Sequence, residues 1–580
     1  MSDRKDIKKP YPFLPTTKDE MHRLGWEELD VVLFSGDAYV DHPSFGTAVI
    51  ARVLEKEGYR VAVVPQPNWR DDLRDFKKMG RPRLFFGVSA GAMDSMVNHY
   101  TSFKRLRSDD AYTPGGVSSF RPDYAVNTYT RILKELFPDV PVVIGGVEAS
   151  LRRLTHYDYW QDKLLPSILK TSGADFLTYG MGEKGTIQIA RYLDGNKDSL
   201  TKRELKQTAY FSAEAPGKDD NTVILNSFEK CCRDKKAFIE NFNRIELEVN
   251  LLNAKRIVEP TEDGYVYVNE PFAPLTQAEL DAVYDLPYTM LPHPRYKGKT
   301  IPAYEMIKNS ITIHRGCFGG CSFCTIAAHQ GKFIQSRSKA SILREVERLK
   351  RTPGFSGTIS DVGAPSANMY GMGGRNRELC SKCKRKSCLF PNLCNNLNHS
   401  HRELTEIYRE IDKVDGVKHS FVGSGVRYDL LVDENGFLDS SSKEYFTELI
   451  SNHISGHFKV APEHTEERIL SLMNKPSFSL FHSMKREFEK ITRKNNKNQQ
   501  IVPYFISSHP GCRLSDMKAL SLNPDLKRVY TGQVQSFTPT PMTRSSVMYY
   551  TQLDPKTLKP LFVEKNIQKL REQKSYFFKK

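Results

Sequence analysis

Three cysteines fall within eight residues of HRGCFGGCSFC (His314 to Cys324), spaced C-x3-C-x2-C as Cys317, Cys321 and Cys324. Thiolates select zinc, Cu(I) or iron–sulfur clusters, so ligand count separates the candidates. A structural zinc site closes its shell with four ligands, which here would call on His314 or His329. Three thiolates can instead hold three irons of a cubane and leave the fourth iron open to a substrate. Buried, reduced thiols are the remaining reading. Gly316, Gly319 and Gly320 permit positive backbone angles and close approach, and their amides can point at bound sulfur.

A second array, CSKCKRKSCLFPNLC, supplies Cys380, Cys383, Cys388 and Cys394. Four sulfurs suit a second metal, either zinc or an auxiliary iron–sulfur cluster, and either would order an insertion too polar to fold by burial. His399 and His401 follow it and read as caps or surface residues. Cys231 and Cys232 are adjacent and read as ordinary helix residues. Cys512 follows SSHPG at a strand end, where burial is the default and a catalytic thiol the alternative.

These groups must be positioned by repeating strand–helix units. The first third alternates apolar runs at 30–36, 60–66, 83–90, 141–147 and 175–181 with helical patterns, the signature of a doubly wound parallel sheet. Ligands in such sheets sit at strand carboxyl ends, which here carry SGDAYVDHPSFG, GVSAGAMDS, GGVEAS and GMGEKG. Residues 201–300 are less regular, read as a connecting lobe with a hairpin turning at Asp263-Gly264. From Ser310 six further strand-like runs follow: SITIHRG, GTISDVG, HSFVGSG, HFKVAPE, IVPYFISS and VYTGQVQSFTPTP. Six parallel strands with crossover helices make a partial (β/α)6 version of the eight-fold barrel. The expected organisation is therefore an α/β domain over 1–200, the lobe, a barrel over 301–563 with a cysteine-rich insertion at 372–400, and a basic tail over 564–580. The cysteine loop ends the first barrel strand.

The chain has 580 residues, ten cysteines and a formal charge of +16. No stretch is apolar enough to span a membrane, and the charged, proline-containing start reads as no leader, so a cytoplasmic protein with no membrane partner is expected. Clustered cysteines in such a chain indicate metal and not a disulfide framework. The positive charge suits a polyanion such as RNA, although the basic residues are spread along the chain.

C-x3-C-x2-C after the first strand of a partial barrel, with aromatic Phe323 before the last cysteine, resembles the radical S-adenosylmethionine (SAM) superfamily. HFKVAPEHTEERILSLMNKP, PYFISSHPG and QSFTPTPMT are similar to the fourth, fifth and sixth strand segments of methylthiotransferases and cobalamin-type radical enzymes. HRGCFGGCSFC, GDAYVDHPSFG, SGVRYDLL and FTPTPMTRSSVMYYT together resemble the YgiQ family, from Phe13 to Gln552. The resemblance implies a 4Fe-4S cluster on Cys317, Cys321 and Cys324. Its open iron would bind SAM, whose reductive cleavage yields methionine and a 5′-deoxyadenosyl radical that abstracts hydrogen from substrate. It implies a flavodoxin- or ferredoxin-type electron donor and leaves the substrate unknown.

Cofactor contacts follow from position in that pattern. The second strand's SDVGAPSANMYG replaces the usual Gly-Gly-Glu-like turn, so Asp361, Gly363 and Ala364 are candidates by place alone. Arg427 is a candidate fork for the SAM carboxylate, with a structural ion pair as its alternative. Ser424 and Glu463 are expected near the ribose or amine, and Phe323, the aromatic before the loop's last cysteine, is a further cofactor-binding candidate. The first domain resembles the cobalamin-binding-like domain of many relatives. Glu148, however, stands where that pattern has histidine, and the cobalt-ligand motif is missing because Asp41 and His42 are adjacent. Cobalamin is therefore not expected, and the domain reads as kept for packing or substrate contact. The leading function is a radical SAM enzyme; the alternatives are a tRNA methylthiotransferase or methyltransferase, and a non-catalytic RNA-binding protein with structural metals.

Overall fold

A computed structural model describes residues 12–577 apart from 196–197, 218, 220, 527–528 and 530–531. The five expected strands are β1 (Val31–Ser35), β2 (Val61–Pro65), β3 (Phe85–Ser89), β4 (Val142–Gly145) and β5 (Phe176–Thr178). They run parallel in the order β2-β1-β3-β4-β5. Every residue of β1 and β2 is buried. Their side chains alternate faces, so Val31 and Leu33 enter one apolar cluster while Val32 and Phe34 enter the other. A sheet covered on both faces needs continuous apolar strands, which is why these runs were legible.

Residues 201–300, expected as a connecting lobe, add four strands to the same sheet: β6 (Thr208–Ser212), β7 (Thr222–Ile224), β8 (Arg256–Thr261) and β9 (Gly264–Val268). β6 pairs antiparallel with β5, β9 with β6 and β8 with β9. The hairpin falls where expected. Gly264 opens β9 at φ +152°, so close to Ser212 that a Cβ would meet its carbonyl oxygen at 2.6 Å.

The second half forms the open barrel. Its strands are β10 (Ser310–Thr312), a second strand broken into β11 (Thr358–Ile359) and β12 (Asp361–Gly363), β13 (His419–Ser420), β14 (His457–Glu463), β15 (Gln500–Ser507) and β16 (Gln533–Ser536). β12 pairs parallel with β10 and β11 with β13. Val426 bridges to Val460, and β14, β15 and β16 continue in parallel. Among the described residues β16 and β10 do not pair. The core is filled by Ile311, Ile359, Val362, Phe458, Val460, Phe505 and the inner faces of the crossover helices.

The basic tail, of which 578–580 lie outside the described residues, contains a helix, Ile567–Ser575. Leu570 is buried and the Phe577 ring stacks on Phe505 at 5.9 Å, so an apolar face docks this segment on the barrel. No helix among the described residues is long and apolar enough to cross a membrane.

Two charge clusters tie the halves together beside the cysteine loop. Glu183, at the start of the helix Glu183–Leu193, accepts from Arg315 Nη1 at 2.5 Å, both side chains being about 5 % exposed or less. Tyr284 lies 5.2 Å under the Arg315 guanidinium. Glu246, on the helix Lys235–Val249, pairs with both Arg544 and Lys386. Removing one member of a buried pair strands the other charge. Glu183→Gln is therefore expected to cost about 3–5 kcal/mol in urea or thermal unfolding, and a loss below ~1 kcal/mol would show that this contact does not hold the halves together.

Candidate metal centre and the cavity beside it

After β10 the chain forms a short ladder in which His314 and Arg315 pair with Ser336 and Gln335, clamping the base of the cysteine loop. Gly316 turns at φ +88°, where a Cβ would fall 2.5 Å from the Phe333 carbonyl oxygen. Cys317 N donates to Gly331 O at 3.1 Å, and Gly316 N to Gln330 Oε1 at 3.2 Å. On the far side Ser322 N donates to Met473 O at 2.9 Å and Asn474 Nδ2 to Gly320 O at 3.0 Å. Ser545 N donates to Ser322 O at 2.9 Å, and His509 Nε2 lies 2.7 Å from Ser545 Oγ. The loop is thus held from four directions by elements far apart in sequence.

Its three sulfurs share one water-poor place. The Cys324 thiol is pushed up to about 12, first by burial and then by the neighbouring Cys321 and Cys317. Burial also raises Cys317, while the Arg427 guanidinium pulls it back. Arg427 Nη1 donates to Cys321 Sγ at 3.3 Å. Three thiolates cannot coexist here without a cation to neutralise them, which is the donor chemistry of a metal centre. Of the histidines proposed to complete a zinc shell, one is engaged elsewhere and the other faces a cavity. His314 Nε2 lies 3.0 Å from Ser366 O, and His329 lines a cavity between the halves. Among the described residues no three His, Cys, Asp or Glu side chains gather tightly enough to hold a single ion. Thiolates on a cubane bind separate irons and stand farther apart than the ligands of one ion, so a three-thiol loop of this kind fits a 4Fe-4S cluster.

The other expected site residues fall into two groups. Arg427 and Glu463 join the loop electrostatically. The Arg427 fork is engaged by Asp429, with Nε at 2.9 Å and Nη2 at 2.5 Å, so the structural ion pair is present where a SAM carboxylate contact was expected. Glu463 ends β14 at φ +71° and is buried; burial lifts its carboxyl to about 7, with Lys475 and Arg427 opposing. Asp361, Gly363 and Ser424 form a second knot. The Asp361 carboxylate accepts from Gly423 N at 2.8 Å, Ser424 N at 3.1 Å and Ser424 Oγ at 2.5 Å. Ala364 and Phe323 pack, half-buried, against the barrel core, and Phe323 meets the His509 ring edge-on at 6.3 Å. Sequence reasoning missed Asp429, although it stands two residues after Arg427, and it missed Lys475 and Asn474, which carry no pattern.

The second array corrects the expectation that only a metal could order the insertion. Cys380 Sγ accepts from Asn396 Nδ2 at 3.3 Å, while Cys388 and Cys394 pack with Phe318, Met372, Leu389 and Leu397. This arrangement of Cys380, Cys383, Cys388 and Cys394 gives no support to a second metal. Nor is the insertion held by metal alone: it folds by burying its few apolar residues against Phe318 of the cysteine loop. Cys512 is 1 % exposed and its thiol is pushed up to about 12 by burial, so it is a core residue. Cys231 is likewise buried in a helix and accepts from Asn241 Nδ2 at 3.2 Å.

A cavity of about 510 Å³ opens where the first sheet's strand ends face the barrel. Ser89, Gly145, Gly146 and Thr186 line one side, and Thr312, Arg315, Ile326 and His329 the other. Glu148 turns away from it: its carboxylate accepts from Ser95 N at 2.8 Å and Val126 N at 3.1 Å, capping two neighbouring segments. An imidazole could not span both donors, which explains glutamate at this position.

The insertion packs closely on the loop at Gly320, φ +64°, where a Cβ would meet Ser387 Cβ at 2.7 Å and Lys386 O at 2.8 Å. Gly320→Ala is expected to push the insertion off the loop, costing about 1–3 kcal/mol and leaving fewer irons per chain after reconstitution. Gly373→Ala, in the insertion itself with nothing within 4 Å, should keep its iron. Equal iron content in both would show that the insertion does not brace the loop.

Comparison with known proteins agrees with this geometry. The family described as Radical SAM N-terminal matches residues 13–310, a little over half the chain. A UPF0313 protein of Bacteroides thetaiotaomicron is 56 % identical over 98 % of this chain and 94 % of its own length. One of Methanosarcina acetivorans is 45 % identical over 96 % and 76 %. Among solved structures, the radical S-adenosylmethionine methyltransferase TsrM of Kitasatospora setae, with cobalamin and a 4Fe-4S cluster bound, is similar in fold. Its TM-score is 0.50 at 14 % identity, over 88 % of this chain and 73 % of TsrM. The chain belongs to the UPF0313 family of radical SAM enzymes, as the motifs around Cys317, Cys321 and Cys324 implied.

Proposed function

We propose that this protein cleaves SAM reductively at a 4Fe-4S cluster held by Cys317, Cys321 and Cys324, and uses the 5′-deoxyadenosyl radical to abstract hydrogen from its substrate. The observation that carries the reading is the gathering of Cys317, Cys321 and Cys324 in one loop, where burial and the two neighbouring sulfurs push the Cys324 thiol up, while His314 is turned to the Ser366 carbonyl. When bound, the cluster supplies one electron at low potential and a coordination position for the methionine end of SAM.

The chain's own residues bind, orient and exclude water. Arg427, locked by Asp429, donates to Cys321 Sγ and offsets the negative charge of the site. Glu463 lies within electrostatic reach of Cys324 and is the proposed partner of the SAM ammonium. The Asp361–Ser424 knot stiffens the turn after β12, whose backbone carbonyls are the proposed second contact. A tRNA methylthiotransferase is disfavoured, because methylthiotransferases hold an extra cluster on first-domain cysteines, and residues 1–230 contain none.

A second reading gives the 510 Å³ cavity to a corrinoid and the enzyme a methyl transfer. The cavity's place between the two halves and the cobalamin in TsrM favour it. Such a corrinoid would take no cobalt ligand from the Glu148 turn, which is occupied by capping. Gel filtration after incubation with hydroxocobalamin separates the readings: a stoichiometric corrinoid band supports the second, and its loss on the column the first.

Anaerobic reconstitution with iron and sulfide, then dithionite and SAM, should release 5′-deoxyadenosine, and Cys317→Ala should reduce it to background. Zinc in place of iron, with no cleavage, would contradict the proposal. The raised carboxyl of Glu463 adds a pH dependence. It is neutral below about 7 and a carboxylate above, so SAM affinity should tighten about tenfold from pH 6 to pH 8, one charge-assisted contact's worth. Glu463→Gln should flatten that profile; an unchanged slope would remove Glu463 from the site.

A further inference from the structure

The cysteine-rich insertion lies directly on the cysteine loop. Ser387 Oγ donates to Gly319 O at 2.7 Å and Cys388 N to Phe318 O at 3.0 Å. Its backbone is thus one hydrogen bond away from the residues between Cys317 and Cys321. Over 372–400 the insertion carries six cations against a single carboxylate, Glu378. Some of these are engaged: Lys386 pairs with Glu246, Lys382 with Glu378, and Arg385 donates to the Ser387 carbonyl at 3.1 Å. Arg375, Arg377 and Lys384 are exposed, and between them Leu379 is 58 % exposed.

An exposed apolar side chain on a segment rich in exposed cations suits a transient docking site for an acidic protein, in which charge steers encounter and a small apolar contact seats it. Cleavage of each SAM consumes one electron, and a protein carrier must deliver it where the path to the loop is short. We propose that this face of the insertion docks an acidic one-electron carrier of the ferredoxin or flavodoxin type, a proposal that rests on the radical reading above. In the hand-over the carrier is oxidised by one electron, which the sulfonium cleavage consumes; no bond and no proton is involved until the carbon–sulfur bond breaks. The same cations would attract RNA. The carrier is favoured by the direct contact with the loop, by the smallness of the patch, and by its exposed side chain being aliphatic, since single-stranded RNA is gripped by stacking aromatics along a longer basic groove.

The test uses the reconstituted full-length protein and a plant-type 2Fe-2S ferredoxin as probe. Binding of the oxidised ferredoxin by isothermal titration should weaken at least tenfold between about 20 and 200 mM salt. The variant Arg375→Glu/Arg377→Glu/Lys384→Glu should bind at least tenfold more weakly and lose most of the salt dependence. Its 5′-deoxyadenosine yield should fall with reduced ferredoxin and stay at the wild-type level with dithionite, which needs no docking. If the triple variant holds less iron than wild type, Arg377→Gln/Lys384→Gln gives the same comparison. Unchanged ferredoxin affinity in the variants overturns the proposal, as does loss of affinity for a tRNA probe with ferredoxin binding intact. Failure of wild type to cleave SAM with dithionite would instead defeat the radical reading, while the binding isotherms would still decide the surface.

Discussion

The gathering of three sulfurs in one loop, where a negative charge on any of them is disfavoured by its neighbours, is the constraint around which the rest of this protein is arranged. Burial raises Cys317 and Cys324, and each neighbouring sulfur raises Cys324 further. A loop in that condition must be held by force from outside. The holding is supplied by the Gly331 and Met473 carbonyls, Asn474, Ser545 and the insertion, drawn from segments spread over more than two hundred residues. Arg427 supplies a cation in hydrogen-bond reach of Cys321, and Asp429 fixes its direction.

This arrangement accounts for the two-part architecture. The barrel provides strand ends that converge on the loop, but a six-stranded barrel is open along one side. The first sheet closes over that region through Arg315–Glu183, and the helix Lys235–Val249 closes another flank through Glu246, Arg544 and Lys386. The cavity of about 510 Å³ lies where the strand ends of the sheet look across at the segment following Cys324.

Much of this was legible in the sequence, for reasons that differ by element. Strands buried on both faces write continuous apolar runs, so β1 to β5 could be found, while the barrel strands, with mixed burial, were legible from their regular alternation with helical segments. The sheet extension could not: β6 to β9 pair across long sequence separations, and their hairpin reads the same whether it joins a sheet or stands apart. Cys317, Cys321 and Cys324 were legible because ligand spacing is local. The role of Arg427 was not, since a fork aimed at a ligand and a fork aimed at Asp429 use the same residue. The insertion looked too polar to fold because the apolar residue it needs, Phe318, lies in the other cysteine segment. Glu148 looked like a lost cofactor ligand and is a double cap.

The central claim is a cluster with three protein sulfurs and one iron left for SAM. Mössbauer spectroscopy of protein reconstituted with 57Fe tests it most directly. On adding SAM, the signature of a single iron site should shift to higher coordination while the others stay unchanged. Four irons with identical, SAM-insensitive parameters would mean that a fourth protein ligand fills the open corner, and the enzymatic account would fail.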